Sequence, residues 1–375
     1  VSAPDIAIVG VGYTRQGRLP GVSPKHFCLE ASAAAIADAG LKAADIDGIL
    51  VQGNGSIYPV DVAEMLGIQP RYSTMIAPYG TTASMLAMQA ALGIKAGVAD
   101  VVLCCYGNSG FSLAGGGVRT GELSGNQFTN PFGMNSAAMN YAVVAQRHMH
   151  RYGTKREHLA AVALAARQWA QKNPMAQMNG RPFDLETYMQ GRWVAEPLTV
   201  FDCCLQSDGG RAFIVTTAAR AKSLRQKPVY LKGYAEKTLA GSIFNDPALI
   251  SPAKDSLPRA LAMAGLKLKD IDLFEVYDCF TPAIVITLED YGLCPKGEGG
   301  PFVADGKLAP GGALPFNTSG GLLSEVYLHN WGHVTEAVLQ LRGQGGERQA
   351  AKHETAVVGG NGGTFQQHIN LVLTV

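Results

Sequence analysis

Apolar positions along this chain alternate between short unbroken runs and longer stretches at helical spacing. The run over residues 5–10 (DIAIVG) is continuous and closes on glycine, the pattern of a buried strand. Ser23-Pro24 then supplies a cap and a first-turn proline, and Phe27 to Ala39 carries Ala-rich helical spacing up to a stop at Gly40. A second strand is expected over Ile46–Gln52. Strand, helix, strand in this order predicts a right-handed βαβ unit.

The pattern recurs late in the chain. Ser251-Pro252 predicts a helix through Leu261 that stops at Ala264-Gly265, followed by a strand over Leu273–Tyr277. The junction AGLKAADIDGILV (39–51) matches AGLKLKDIDLFEV (264–276) at seven of the first nine positions, 225 residues apart. Downstream of each junction comes a helix, a strand and a glycine-bearing turn. In the first half these are Thr82–Ala96, Val101–Tyr106 and GNSG (107–110). In the second they are Val334–Arg342, Ala356–Val358 and GGNGG (359–363). Two duplicated α/β halves are expected: 1–110, completed by about 206–225, and 226–375. Residues 111–205 are richer in Met, Asn and Gln and carry long helical stretches. They read as an insertion that forms a lid or substrate-binding domain.

Composition narrows the function. The chain holds 31 basic and 30 acidic residues for a net charge of +1, with 16% charged and 47% hydrophobic residues. No basic stripe occurs, which argues against nucleic acid as a partner. No apolar run reaches the roughly 18 residues that span a bilayer. The first residues lack a basic region ahead of an apolar stretch, so no signal peptide is expected. Seven Cys without a CxxC indicate neither a disulfide framework nor a zinc knuckle, and a reducing cytoplasm fits best. Gly10-Val-Gly12 does not complete GxGxxG, and no Walker A, HExxH or GxSxG pattern occurs. His148 and His150 do not share a helix face, and His329 and His333 lack a third ligand, so no metal is expected. The 45 glycines remain to be explained.

The duplicated halves with a helical insertion resemble the thiolase fold. Residues 150–176 look like the insertion helix of the sterol-carrier-protein-type thiolases, and SDGGRA (207–212), VYDCF (276–280), NTSGG (317–321) and GGNGG (359–363) follow in that family's order. A thiolase uses a cysteine activated at the start of a buried helix. Here that position falls at about Gly80, within YGTTAS (79–84), and no Cys lies between 29 and 103. The second thiolase cysteine would sit beside Val358 and Gly359. The two catalytic His positions read Tyr277, in YDCF, and Tyr327, in VYL. Those replacements, with YDCFT (277–281), SEVYLH (324–329) and EAVLQLRG (336–343), resemble the lipid-transfer-protein-like aldolases of the superfamily.

The resemblance implies retro-aldol cleavage of a β-hydroxyacyl-CoA, a steroid side chain among the candidates, with no cofactor beyond the coenzyme A carried by the substrate. Such a reaction needs an acceptor for the β-hydroxyl proton, donors to the thioester enolate and a proton at Cα, but no covalent nucleophile. By resemblance Tyr327 is assigned to the hydroxyl proton and Tyr277 to the enolate. The exchanged assignment stays open, and so does a plain core role for Tyr277. His329 and His333 are the nearest candidate relays. Asp278 is either a cap of the helix starting near Pro282 or part of the site. Cys279 reads as a small buried hydrophobe. Asn317 and Gly362 are carried over as part of an oxyanion site in strand-end loops. Arg119, Arg147, Arg151 and Lys155 could meet CoA phosphates or be ordinary surface charges. A homodimer and a small zinc-ribbon/OB-fold partner are implied. Two other readings remain: an acetyl-CoA acyltransferase working through Thr81, Thr82 or Ser84, and a non-catalytic acyl-CoA-binding subunit.

Overall fold

The computed structural model describes residues 5–53, 55–113, 130–241 and 243–375. Eleven strands occur among them: β1 (Ile6–Tyr13), β2 (Gly48–Gln52), β3 (Tyr72–Ile76), β4 (Val101–Asn108), β5 (Trp193–Ala195), β6 (Leu198–Thr199), β7 (Gly209–Thr217), β8 (Val229–Thr238), β9 (Leu273–Val276), β10 (Thr355–Gly362) and β11 (Gln367–Thr374). Strands β5 and β6 pair only with each other. The other nine form one mixed sheet in the order β3-β2-β4-β7-β1-β8-β11-β10-β9.

That order is a duplication written in hydrogen bonds. Read outward from the β1–β8 joint, the first half runs β1-β7-β4-β2 and the second β8-β11-β10-β9. In each half the two inner pairings are antiparallel and the outermost is parallel. The equivalent of β3 shrinks to a bridge between Phe316 and Phe274.

The repeated AGLK…DID segment shows why both halves fold alike. Gly40 and Gly265 end their helices in the left-handed conformation, at φ 73° and 70°, where glycine carries no Cβ penalty. Asp45 and Asp270 each accept from the backbone N–H three residues earlier, Lys42 and Lys267, both at 2.8 Å. The second aspartate of each copy starts the neighbouring parallel strand. Asp47 accepts from Val101 N at 2.8 Å, and Asp272 from Thr355 N at 3.2 Å.

Three apolar clusters define five layers. The Pro24–Ala39 helix covers one face of the first half through Cys28, Ala31 and Ala35. The Ala253–Ala264 and Thr281–Asp290 helices cover the second half. Between the halves lie two central helices, Thr82–Lys95 and Trp331–Leu341, buried against both halves of the large sheet. Small residues on the first (Ala83, Ala87, Ala90, Ala91) let the two halves of the sheet approach it closely.

The helices Ala137–Tyr152 and Arg156–Gln171 pack on the second half, sharing its core with Phe280, Ala283 and Ile284. Asp202 locks this insertion down. Its buried carboxylate accepts from Thr199 N (2.7 Å), Thr199 Oγ1 (2.8 Å), Tyr188 Oη (2.6 Å) and Thr281 Oγ1 (2.6 Å).

Two expectations are corrected. Gly359 to Gly362 do not form a loop: they are the last residues of β10, paired with Asn370 to Gln367. Asp278 does not cap the Thr281–Asp290 helix, whose N-cap is Phe280. Its carboxylate reaches instead to the Gly321–Ser324 turn, accepting from Leu322 N at 2.8 Å and Leu323 N at 3.3 Å. No helix among the described residues is long and apolar enough to cross a membrane.

Candidate active site

The end of β9 delivers Tyr277 to the mouth of the central helix layer. Tyr277 N donates to Gly359 O at 2.9 Å, which continues the parallel pairing of β9 with β10. Asn317 fixes the residue before it: its Oδ1 accepts from Val276 N (2.7 Å) and its Nδ2 donates to Val276 O (2.8 Å). The Asn317 amide is therefore engaged in holding β9. Tyr327 approaches from the segment ahead of the Trp331–Leu341 helix, and the two phenol oxygens lie 3.5 Å apart.

Tyr277 is buried and Tyr327 partly buried, and desolvation pushes both phenols well above their usual range. At neutral pH both are protonated donors. His329 stands beside Tyr327 with ring centroids 5.4 Å apart and edges onto Tyr106 at 5.8 Å. Desolvation pushes it down to about 4, so it is neutral at pH 7, and its buried Nδ1 has no partner. His329 has a positive φ of 50°, a turn geometry uncommon outside glycine and asparagine.

Position 80 explains the missing cysteine physically. A Cβ built on Gly80 would overlap Tyr277 Cζ and the carbonyl oxygen of Asn361. The Tyr277 ring thus fills the space a nucleophilic side chain would need at the start of the Thr82–Lys95 helix. The helix terminus is occupied too: Asn330 Oδ1 accepts from Ala83 N at 2.9 Å, and Asn330 Nδ2 donates to Ser84 Oγ at 2.6 Å. Positions 359 and 360 are equally closed. The Tyr291 hydroxyl lies where a Gly359 side chain would begin, and a Cβ added at Gly360 would lie 2.9 Å from Asn330 Nδ2 and 3.0 Å from Thr81 Cα. A Cβ added at Gly362 would lie 3.0 Å from Pro78 O, at the same loop. The glycine excess serves close backbone approach here.

Thr81, Thr82 and Ser84 show no activated hydroxyl. Thr81 Oγ1 donates to Pro78 O (2.7 Å) and lies 2.9 Å from Gln367 Oε1; Thr82 Oγ1 donates to Tyr79 O (2.6 Å). Among the described residues no imidazole or carboxylate bonds to any of the three, so none of them has there the adjacent base that a serine- or threonine-type nucleophile uses. Cys279 is buried near the Tyr141 hydroxyl, and desolvation pushes its thiol up to about 12, which leaves it inert.

Sequence reasoning named Asp278 and His333 among the candidates but missed Ser207, Arg211 and Glu325 as holders of the tyrosine pair. Ser207 Oγ accepts from Tyr327 N at 2.9 Å. Arg211 Nη2 pairs with buried Glu325 at 3.0 Å. Asp278 Oδ1 meets His333 Nε2 at 3.1 Å, with both side chains buried. SDGGRA (207–212) was visible as a motif, but nothing in it said that its serine and arginine grip the Tyr327 segment. Of the basic candidates, Arg147 donates to Phe244 O at 2.6 Å, Arg151 and Lys155 are exposed, and Arg119 lies outside the described residues. His148 is buried between Thr154 and Glu289, and no metal-binding group of three or more His, Cys, Asp or Glu occurs among the described residues.

The model of the family described as thiolase C-terminal domain-like matches residues 233–375. The 17-hydroxy-3-oxo-4-pregnene-20-carboxyl-CoA lyase of Mycobacterium tuberculosis is 36% identical over 95% of this chain and 96% of its own. This chain belongs to the thiolase superfamily. Within the superfamily it falls in the aldolase branch. A steroid side-chain-cleaving aldolase of Thermomonospora curvata is 35% identical over 90% of both chains. The solved Ltp2-ChsH2(DUF35) aldolase superposes with a TM-score of 0.92 at 33% identity, covering 100% of this chain and 99% of that one. The thiolase fold expected from the motif order is the fold of this superfamily member, and the paired tyrosines sit at the head of its central helices.

Proposed function

We propose that this protein is a carbon–carbon lyase that cleaves a β-hydroxyacyl-CoA by retro-aldol chemistry, with Tyr277 and Tyr327 as its acid–base pair. The observation that carries the reading is the 3.5 Å contact between the buried Tyr277 phenol, whose ring fills the nucleophile's space at Gly80, and the partly buried Tyr327 phenol. The relatives' activities point to a steroid side chain as the acyl group.

Two protonated phenols in contact can run the reaction without a resting phenolate. As the Cα–Cβ bond breaks, the β-hydroxyl becomes the carbonyl of the departing ketone or aldehyde, and the bond electrons pass to the thioester enolate. Tyr277 gives its proton to Cα, Tyr327 passes its own to Tyr277, and Tyr327 takes the β-hydroxyl proton. The ring of transfers returns both tyrosines to their starting state and uses no oxidant and no free CoA. Neutral His329 keeps the pocket uncharged and leaves the phenols as the donors to the developing negative charge. The protein works beside a second chain of the DUF35 kind, a reading supported by the solved Ltp2-ChsH2(DUF35) aldolase, and as a homodimer, the state that the family resemblance implies.

The deciding experiment supplies β-hydroxyacyl-CoAs with and without that partner. The expected products are a ketone or aldehyde and a shortened acyl-CoA in equal amounts, with no acyl-enzyme by mass spectrometry. Binding without turnover, even with the partner present, would leave the non-catalytic subunit standing. A trapped acyl-enzyme would restore the acyltransferase.

A further inference from the structure

The two tyrosines stand in the same local sequence, Glu-Val-Tyr at 275–277 and again at 325–327. Successive side chains of a strand point to opposite faces, which puts Glu275 on the face of Tyr277. Both meet the Trp331–Leu341 helix: Tyr277 lies beside the His333 ring, with centroids 6.3 Å apart, and Glu275 reaches Glu336 through Thr318.

Glu275 is fully buried. Its Oε1 lies 3.0 Å from Thr318 N and 2.8 Å from Thr318 Oγ1, and among the described residues its Oε2 has no partner. The same Thr318 hydroxyl lies 2.9 Å from Glu336 Oε1. Glu336 is already matched by Arg348, whose Nε and Nη2 donate to its two oxygens at 2.9 Å each. Glu325 is matched by Arg211 at 3.0 Å, and Asp278 and His333 pair with each other. Three glutamates thus share two guanidinium groups. Among the described residues no cation lies within 4.0 Å of Glu275.

A hydroxyl donates one hydrogen, so Thr318 cannot serve two ionised carboxylates. An ionised Glu275 would also bury a bare anionic oxygen beside a second carboxylate, at a large cost. With a proton on Oε1 the chain closes: Glu275 donates to Thr318 Oγ1, and Thr318 donates to Glu336. Burial, and then the Glu336 charge, push the Glu275 carboxyl well above its usual range.

We propose that Glu275 is a positioning residue held as a neutral acid: through Thr318 it clamps the 317–319 turn to β9 and so sets the Tyr277 phenol against Tyr327. This is the turn whose Asn317 amide brackets Val276, so the clamp acts on the residue ahead of Tyr277. Its bearing on catalysis rests on the lyase reading above. A neutral Glu275 also adds no negative charge behind the phenols that meet the enolate.

Glu275→Gln keeps the shape of the side chain and removes its proton. An unfolded Glu ionises at about pH 4.3, so unfolding of wild type releases one proton that the variant lacks. The contribution is whole below that pH and is lost as pH rises. In urea titrations between pH 6 and pH 8, the unfolding constant of wild type should therefore rise about 100-fold relative to Glu275→Gln. A relative rise under tenfold overturns the neutral acid. The clamp is read at Tyr277 itself. In protein labelled with 3-fluorotyrosine, the Tyr277 fluorine resonance is the one missing from Tyr277→Phe. Thr318→Val should shift or broaden it, and Thr318→Ser, which keeps the hydroxyl, should restore it. If Thr318→Val does not fold, Thr318→Ala is read the same way. With a cleavable thioester, Thr318→Val should lower kcat of the folded enzyme about tenfold or more at unchanged KM, and Thr318→Ser should recover it. An unmoved fluorine resonance overturns the positioning role, and so does a loss of stability with kcat of the folded enzyme unchanged. If no thioester is turned over, the lyase reading fails, while the unfolding ratio and the fluorine resonance still decide the clamp.

Discussion

Tyr277 does two jobs with one ring: it offers a phenol to Tyr327 and it excludes a side chain at position 80. The two roles predict different outcomes. Tyr277→Phe keeps the ring and removes the hydroxyl, so turnover should fall by about 100-fold or more with little loss of stability. Tyr327→Phe should do the same. Turnover surviving both substitutions would rule out the phenol relay. Gly80→Ala adds a methyl group into the ring and into Asn361 O, and overpacking of a tight core costs about 1–3 kcal/mol. Urea unfolding should report that loss. Gly80→Cys should be at least as unstable and should form no acyl-enzyme, because Tyr277 stands in the nucleophile's place.

The elements around the pair explain how two tyrosines 50 residues apart meet. Asn317 ties down the end of β9, and Asp278 joins that end to the Gly321–Ser324 turn and to His333 on the Trp331–Leu341 helix. One carboxylate thus connects the strand carrying Tyr277 to the turn that leads to Tyr327. Asp278→Ala leaves Leu322 N and His333 without their acceptor in a buried setting. The expected cost is about 3 kcal/mol, with turnover reduced beyond what the loss of folded protein explains. Thermal unfolding and the activity of the folded fraction check it. An unchanged melting temperature would show that the turn is held by other contacts. Much of this was legible beforehand: the AGLK…DID repeat displayed both halves, and both tyrosines stood out against the family's pattern. What Asp278 contacts was not legible, because its partners lie 44 and 55 residues further on.

Across the molecule, buried histidines tie stability to pH. His368 lies under the Tyr291 hydroxyl (2.9 Å) and near Asn370, and desolvation pushes it down to about 3; His329 stands at about 4. The usual value is about 6.5. Between those values the unfolded chain binds protons that the folded chain refuses, so this contribution is whole above about pH 6.5 and is lost as pH falls toward 3. Urea midpoints at pH 7.5, 6 and 5 should fall more steeply for wild type than for His368→Gln. Parallel curves would mean that His368 is protonated within the fold. Glu275 opposes the trend, since burial and nearby Glu336 raise its pKa, and the comparison of the two proteins removes that background.

Local and repeated signals in the chain were enough for the fold: strand runs, glycine stops and capping aspartates act over a few residues, and the duplicated junction supplies them twice. They also located both tyrosines, because an amino acid's identity at a motif position is a local fact. They could not say that Gly359 to Gly362 are strand, that Asn317 is engaged with Val276, or that Ser207 and Arg211 grip the Tyr327 segment. Those outcomes depend on which groups meet once five layers have packed. The empty space at Gly80 makes the point most directly. In the sequence it is an absent cysteine; in the folded protein it is a volume already filled by Tyr277, and close packing admits one occupant.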